Sequence, residues 1–180
     1  MIYIFLADGF EEIEALTPLD IFRRAGLDTL TVSITASTTV TGSHNIPVLA
    51  DTTLDQINLS DADLLLLPGG MPGTKHLGAC KPLTDALFAH ASAGKPTAAI
   101  CAAPSVLGKL RLLQGKEAIC YPGFEDALTG ATISEKKVVR DGNIVTAAGM
   151  GVALEFSLEC LRLLGHHEAA QQIRTAVIAD

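Results

Sequence analysis

Short runs of apolar residues, separated by stretches with helical spacing, constrain this chain more than any other feature. Ile2–Ala7, Thr29–Ile34, Asp63–Leu67 and Thr97–Ile100 are such runs. A strand with no polar alternation is buried on both faces, as in a parallel sheet held between two layers of helices. Helices are expected between these strands. One runs from the residues after Gly9 to Ala25, where Gly26 stops it, and one covers Leu83–Ala93, ended by Gly94-Lys95-Pro96. Another runs from Pro104 to Leu113, and Val152–Leu164 and His167–Val177 close the chain. Thr39–Thr52 suits a hairpin beside the main sheet. Glu117–Ile119 is a short strand, with Pro122 opening a short helix. Val138–Arg140 and Ile144–Ala147 flank Asp141-Gly142-Asn143, a hairpin signal. The pattern predicts an α/β fold, a three-layer sandwich with a mostly parallel sheet and helices on both faces, as one domain over residues 1–180.

Charge and cysteine usage narrow the function classes. With 13 basic and 20 acidic residues the net charge is −7, so no nucleic-acid binding is expected from net charge. No apolar run approaches the ~20 residues of a membrane span, and Met1–Ala7 lacks the cationic lead of a signal peptide. Cys80, Cys101, Cys120 and Cys160 form no Cys-x-x-Cys pair, and the five histidines fall in no metal-ligand spacing. Neither a metal nor a cofactor is expected. Reduced thiols and a cytoplasmic location are.

Ligands of parallel α/β sheets bind beyond the carboxyl ends of the strands, and three strand ends stand out. The first, Ala7-Asp8-Gly9-Phe10-Glu11-Glu12-Ile13-Glu14, has one glycine and three glutamates, which repel a phosphate rather than cradle it. On a helical wheel Glu14 falls between Ile21 and Ala25, on the face of Phe10, Pro18 and Phe22, and Glu12 falls on the far side. Thr17-Pro18 resembles a capped helix start, so a bend there is expected. Glu14 is then either a helix-initial carboxylate stabilised by the macrodipole or a buried carboxyl that keeps its proton. The second end, Leu67-Pro68-Gly69-Gly70, brings bare backbone amides close to a ligand, as oxyanion donors or as a plain turn.

The third end carries most. Thr97-Ala98-Ala99-Ile100-Cys101-Ala102-Ala103-Pro104 runs strand, cysteine, helix. That is the layout of a nucleophile elbow, whose sharp turn needs small neighbours such as Ala99 and Ala103. A thiol at the positive end of a helix is expected to acidify toward thiolate; the alternative is an inert buried cysteine. Cys160, among leucines, is expected in the core, Cys120 there or near the site, and Cys80 at the surface.

Taken in order, Gly9-Phe10-Glu11-Glu12-Ile13-Glu14, Leu67-Pro68-Gly69-Gly70, Ala99-Ile100-Cys101-Ala102-Ala103-Pro104 and Ala148-Gly149-Met150-Gly151 resemble the ThiJ/PfpI superfamily, in its DJ-one branch, from Ile2 to about Val177. The resemblance implies a flavodoxin-like, class I glutamine amidotransferase-like domain and a homodimer. It implies that Cys101 is the reactive cysteine and Glu14 the partner whose protonated carboxyl bonds its sulfur. The amides of Gly70 and Ala102 would form the oxyanion hole, and Gly69, Tyr121, Gly149 and Met150 would line the pocket. The peptidase branch places His directly after the cysteine; Ala102 stands there, which argues against proteolysis. Tyr121 stands where close relatives carry a His near the thiol, which removes the usual imidazole base. The function implied is cofactor-free cysteine chemistry on small reactive carbonyls, of glyoxalase or deglycase type and low turnover, in carbonyl or oxidative stress. The alternatives are a redox sensor or chaperone-like protein using the same cysteine, and an interaction module with an idle pocket.

Overall fold

The computed structural model describes residues 1–179. Its main sheet has seven strands: β1 (Ile2–Leu6), β2 (Thr29–Ser33), β5 (Thr52–Thr53), β6 (Leu64–Leu67), β7 (Thr97–Ile100), β10 (Val138–Asp141) and β11 (Ile144–Ala147), in the order β10-β11-β7-β6-β1-β2-β5. Every pairing is parallel except the β10–β11 hairpin at one edge. Every residue of β1, β6, β7 and β11 is buried, as their unalternating apolar runs require.

Successive side chains of these strands face opposite layers. Ile2, Ile4, Leu6, Leu64, Leu66, Ala98 and Ile100 join Phe10, Phe22, Phe156 and Leu161 in one core. That layer is built by α1 (Glu12–Arg24), α5 (Ala153–Leu163) and α6 (His167–Ala176). Tyr3, Phe5, Leu65, Leu67 and Ala99 join Leu77, Leu83, Leu87 and Leu107 in the other, under α2 (Gly73–Ala79), α3 (Lys81–Ser92) and α4 (Pro104–Lys109). This is the flavodoxin-like three-layer sandwich. The hairpin β3 (Thr39–Thr41) and β4 (Pro47–Leu49) stands outside the main sheet, and β8 (Glu117–Ala118) pairs with β9 (Thr132–Ile133).

Four local expectations differ from the structure. Pro18 does not bend or restart the first helix: α1 runs unbroken through it. The ring costs only the one in-helix bond that its missing N–H would have made to the Glu14 carbonyl. Helix α2 went unforeseen because Gly73, Lys75, His76 and Gly78 give it no apolar period, and it places His76 on a helix rather than in a loop. Helix α4 stops at Lys109 instead of Leu113, and Arg111 takes a positive φ just beyond it. Pro122 opens no helix; a single 3-10 turn forms later, at Glu125–Ala127.

Candidate active site

The turn after β7 presents the cysteine. Cys101 has φ of +63°, a left-handed conformation that a non-glycine residue holds only when its surroundings fix it. They do so here. The Cys101 amide donates to the Ala147 carbonyl at 2.8 Å, its carbonyl accepts from the Tyr121 amide at 2.8 Å, and the Ala103 amide closes the turn onto Ile100 at 3.0 Å. Ala99 and Ala103 are fully buried, which leaves no room for larger side chains around the elbow. Pro104 then starts α4 at a position where no amide is missed.

Glu14 approaches from α1. Its side chain is only 1% exposed, and Oε2 accepts from the Gly69 amide at 2.9 Å. The Met150 amide and the Cys101 sulfur lie beside the same carboxyl and favour its charged form. The wheel therefore placed Glu14 on the inward face correctly. Gly69 is needed for this approach, since a Cβ there would lie 2.6 Å from Glu14 Oε2 and 2.7 Å from Cys101 Cβ. Gly70, at φ of +88°, would drive a Cβ to 2.3 Å from the Glu11 nitrogen. The amides of Gly70 and Ala102 lie beside the sulfur and favour its charged form.

Burial pushes the Glu14 carboxyl up to about 7, against the pull of its hydrogen bonds to Cys101, Gly69 and Met150. Burial, and then the charge and hydrogen bond of Glu14, push the Cys101 thiol up to about 12, while the Ala102 and Gly70 amides pull it down. The expected acidification of Cys101 by a helix is thus corrected. Helix α4 is six residues long and begins three residues past the sulfur, and burial of the thiol, with the Glu14 charge second, outweighs it. The two groups titrate as a pair. Burial holds the thiol up in either state of Glu14 and the Glu14 charge adds to it, so a thiolate belongs to the tautomer in which Glu14 carries the proton.

Cys101 and Glu14 open onto a cavity of about 400 Å³, lined also by Glu11, His44, Gly70, Met71, Ala102, Tyr121, Phe124 and Met150. Of the expected pocket residues, Tyr121 and Met150 line it. Gly69 and Gly149 do not: Gly69 packs against Glu14 and Cys101, and Gly149 lies behind the Tyr121 ring, its Cβ position 3.4 Å from Tyr121 Cδ2. Cys160 and Cys120 are buried and Cys80 is half-buried. Burial and the Glu125 charge push Cys120 up to about 11, and burial pushes Cys160 up as well.

The wheel set Glu12 on the far side of α1 from Glu14, and the structure covers that side. Glu12 is 5% exposed, because the β3–β4 hairpin folds over the first turn of α1 and sets Gly42 so close that a Cβ would lie 2.2 Å from Glu12 Oε1. The same hairpin brings His44 to Glu12, with the His44 amide 2.9 Å from Oε1 and Nδ1 3.0 Å from Oε2. Burial alone would raise the Glu12 carboxyl, but hydrogen bonds from His44 hold it at about 2. Those bonds, with the Glu11 and Glu12 charges, raise the His44 imidazole above its ordinary value. Among the described residues, Glu11, Glu12 and His44 are the group whose ligand atoms lie within 4.8 Å of one another. The His44–Glu12 hydrogen bonds and the Ser43 hydroxyl, which donates to Glu11, account for that closeness.

The DJ-1/PfpI family model matches residues 1–163. Protein DJ-1 homolog B of Arabidopsis thaliana is 41% identical over 92% of this chain, although the chain spans only 39% of that relative's length. A Pyrococcus abyssi protein named as a deglycase is 29% identical over 91% of this chain and 98% of its own. The solved structure of oxidized Toxoplasma gondii DJ-1 superposes with a TM-score of 0.94 at 34% identity, covering 98% of this chain and 97% of that one. The chain belongs to the DJ-1/PfpI family.

Proposed function

We propose that the chain is a cofactor-free cysteine enzyme acting on reactive α-oxoaldehydes such as methylglyoxal, or on their early adducts with amines and thiols. The observation that carries this reading is the Glu14 carboxyl beside the Cys101 sulfur, with two amides beside the same atom, at the floor of an open cavity. The name of the Pyrococcus relative supports the same chemistry. In the tautomer with the proton on Glu14, the Cys101 thiolate attacks the aldehyde carbon. The new oxyanion is held by the Gly70 and Ala102 amides and takes the Glu14 proton. The hydrogen on the sulfur-bearing carbon then leaves as a proton, its electron pair forming an enediol, and a proton returns to the neighbouring carbon. The first carbon is thereby oxidised to a thioester and the second reduced to an alcohol, so no external electron carrier is required. Water cleaves the thioester and releases a 2-hydroxy acid and the thiol. Purified protein is expected to convert methylglyoxal to lactate, and Cys101→Ala to abolish the conversion. Intact thiol with no lactate would refute the reading.

A second reading rests on the same groups. Two amides and a protonated Glu14 around one sulfur would stabilise a cysteine sulfinate, which makes Cys101 a redox sensor or a switch for a chaperone-like surface. Mild peroxide would then add two oxygens at Cys101, seen by intact mass, in a protein without carbonyl turnover. Under either reading the chain works as a homodimer, for which the exposed apolar side chains of Ile13, Ile46 and Leu49 offer a surface, and it is assigned to the cytoplasm.

A further inference from the structure

The rearrangement above needs a group that carries a proton between two carbons, and Glu14 is poorly placed for it. Glu14 is almost fully buried, and its Oε2 is held by the Gly69 amide beside the sulfur. Tyr121 offers a phenol, a weak base at neutral pH. Glu11 and His44 are the remaining acid–base groups of the cavity wall, and of the two it is Glu11 whose carboxylate is engaged by the Ser43 hydroxyl, at 3.1 Å, while the Nε2 edge of the His44 ring carries no hydrogen bond among the described residues. His44 is reached from 30 residues up the chain from Glu14 only because the hairpin folds over α1.

We propose that His44, oriented by the buried Glu12, is the proton carrier of this site for α-oxoaldehydes. The inference rests on the carbonyl reading of the same pocket. Nδ1 lies 3.0 Å from Glu12 Oε2 and 3.1 Å from Ser43 Oγ. A carboxylate can only accept, so the proton of the neutral ring sits on Nδ1 and the lone pair on Nε2. Gly42 fixes the Glu12 carboxylate from the other side. A buried carboxylate that sets the tautomer and stabilises the imidazolium is the arrangement that makes histidine an effective base. Nε2 would take the proton from the sulfur-bearing carbon and return it to its neighbour, while Glu14 serves the substrate oxygens and the sulfur. No atom or electron beyond those of substrate and water is consumed.

The groups that face this imidazole are Glu11, whose Oε2 is 3.8 Å from Nδ1, and Glu12 at the start of α1. Across the cavity stand Glu14, Cys101 and Tyr121. As a base, His44 must be neutral, so turnover should fall on the acid side as the ring gains its proton. Lactate formation from methylglyoxal is to be followed against pH in wild type, His44→Gln and Glu12→Gln, with the rate of Cys101 alkylation measured in parallel. The expected result is a ~100-fold lower kcat for His44→Gln, the usual scale for losing a general base, with alkylation unchanged. The acid limb of the Glu12→Gln profile should lie at lower pH, because the Glu12 charge that helps raise the imidazole is gone while that of Glu11 stays. Wild-type turnover in deuterium oxide should yield lactate deuterated at its second carbon, since an exposed imidazolium exchanges with solvent before returning its proton. Full kcat in His44→Gln, or an unmoved acid limb in Glu12→Gln, overturns the proposal and leaves the carbonyl reading standing. Absence of lactate from wild type overturns both.

Discussion

A carboxyl that burial pushes up to about 7 is a liability to the fold as well as a tool of the site. For Glu14 the native state binds more protons than the unfolded chain between the ordinary carboxyl value of 4.5 and about 7. Stability therefore falls as pH rises through that window. Glu14→Gln keeps an acceptor for the Gly69 amide and removes the ionisation. The variant is expected to gain on wild type between pH 5 and pH 8, by on the order of 2–3 kcal/mol at the upper limit, and to lose turnover because an amide exchanges no proton. Urea unfolding at the two pH values checks it; parallel curves for both proteins would mean that Glu14 is not held protonated. Gly69 gives a steric counterpart. Gly69→Ala forces a methyl group into Glu14 and Cys101, neither of which has room to move, and should cost ~1–3 kcal/mol together with most of the turnover. Cys101 and Glu14 were legible in the sequence for a local reason. The elbow is written in eight consecutive residues, and the inward face of α1 is fixed by spacing alone. His44 and Glu12 were not, because their contact spans 32 positions and depends on where an off-sheet hairpin comes to rest.

That hairpin is the element on which the cavity wall depends. Strands β3 and β4 pair only with each other, so their seat on the body of the molecule must come from elsewhere. Part of it comes from the Thr41 amide bonded to Asp8, the Ser43 amide bonded to the Phe10 carbonyl, and the contacts of Gly42 and His44 with Glu12. Gly42→Ala would press a Cβ into the Glu12 carboxylate, which is closed in on its other sides. The expected outcome is a hairpin lifted from α1, with the melting temperature lowered by several degrees and turnover reduced as far as in His44→Gln. Unchanged turnover would show that the hairpin does not position the imidazole. Sequence patterning captured the buried strands and long helices, whose apolar period is set by burial on known faces. It missed α2, in which only Gly73, Thr74 and Leu77 are buried, and it read a break into α1 at Pro18, where packing of Pro18, Ile21 and Phe22 outweighs one lost backbone bond.

At the scale of the whole molecule, three large apolar side chains stand exposed on two elements that touch, α1 and the hairpin. Ile13 is 46% exposed, Ile46 51% and Leu49 74%. The first lies on α1, and the others belong to the hairpin that rests on the first turn of that helix. Exposed large apolar residues on adjoining elements offer a surface for association. Their neighbours do not compete for it, since Arg23 turns back to Asp51 and Arg24 pairs with Asp20 on its own helix. A second copy meeting the first here across a twofold axis would present the same patch to itself, and would press the hairpin onto α1 next to Glu11 and His44. Light scattering is therefore expected to give about twice the 18.8 kDa chain mass, and the double substitution Ile13→Glu, Leu49→Lys to give the single-chain mass. Because the patch adjoins the wall that holds His44, the monomeric variant should also lose turnover by a factor of several at unchanged Cys101 alkylation. A wild-type chain that stays at 18.8 kDa at every concentration would exclude the dimer. A monomeric variant with full turnover would show that each chain holds its own imidazole in place without help from the partner.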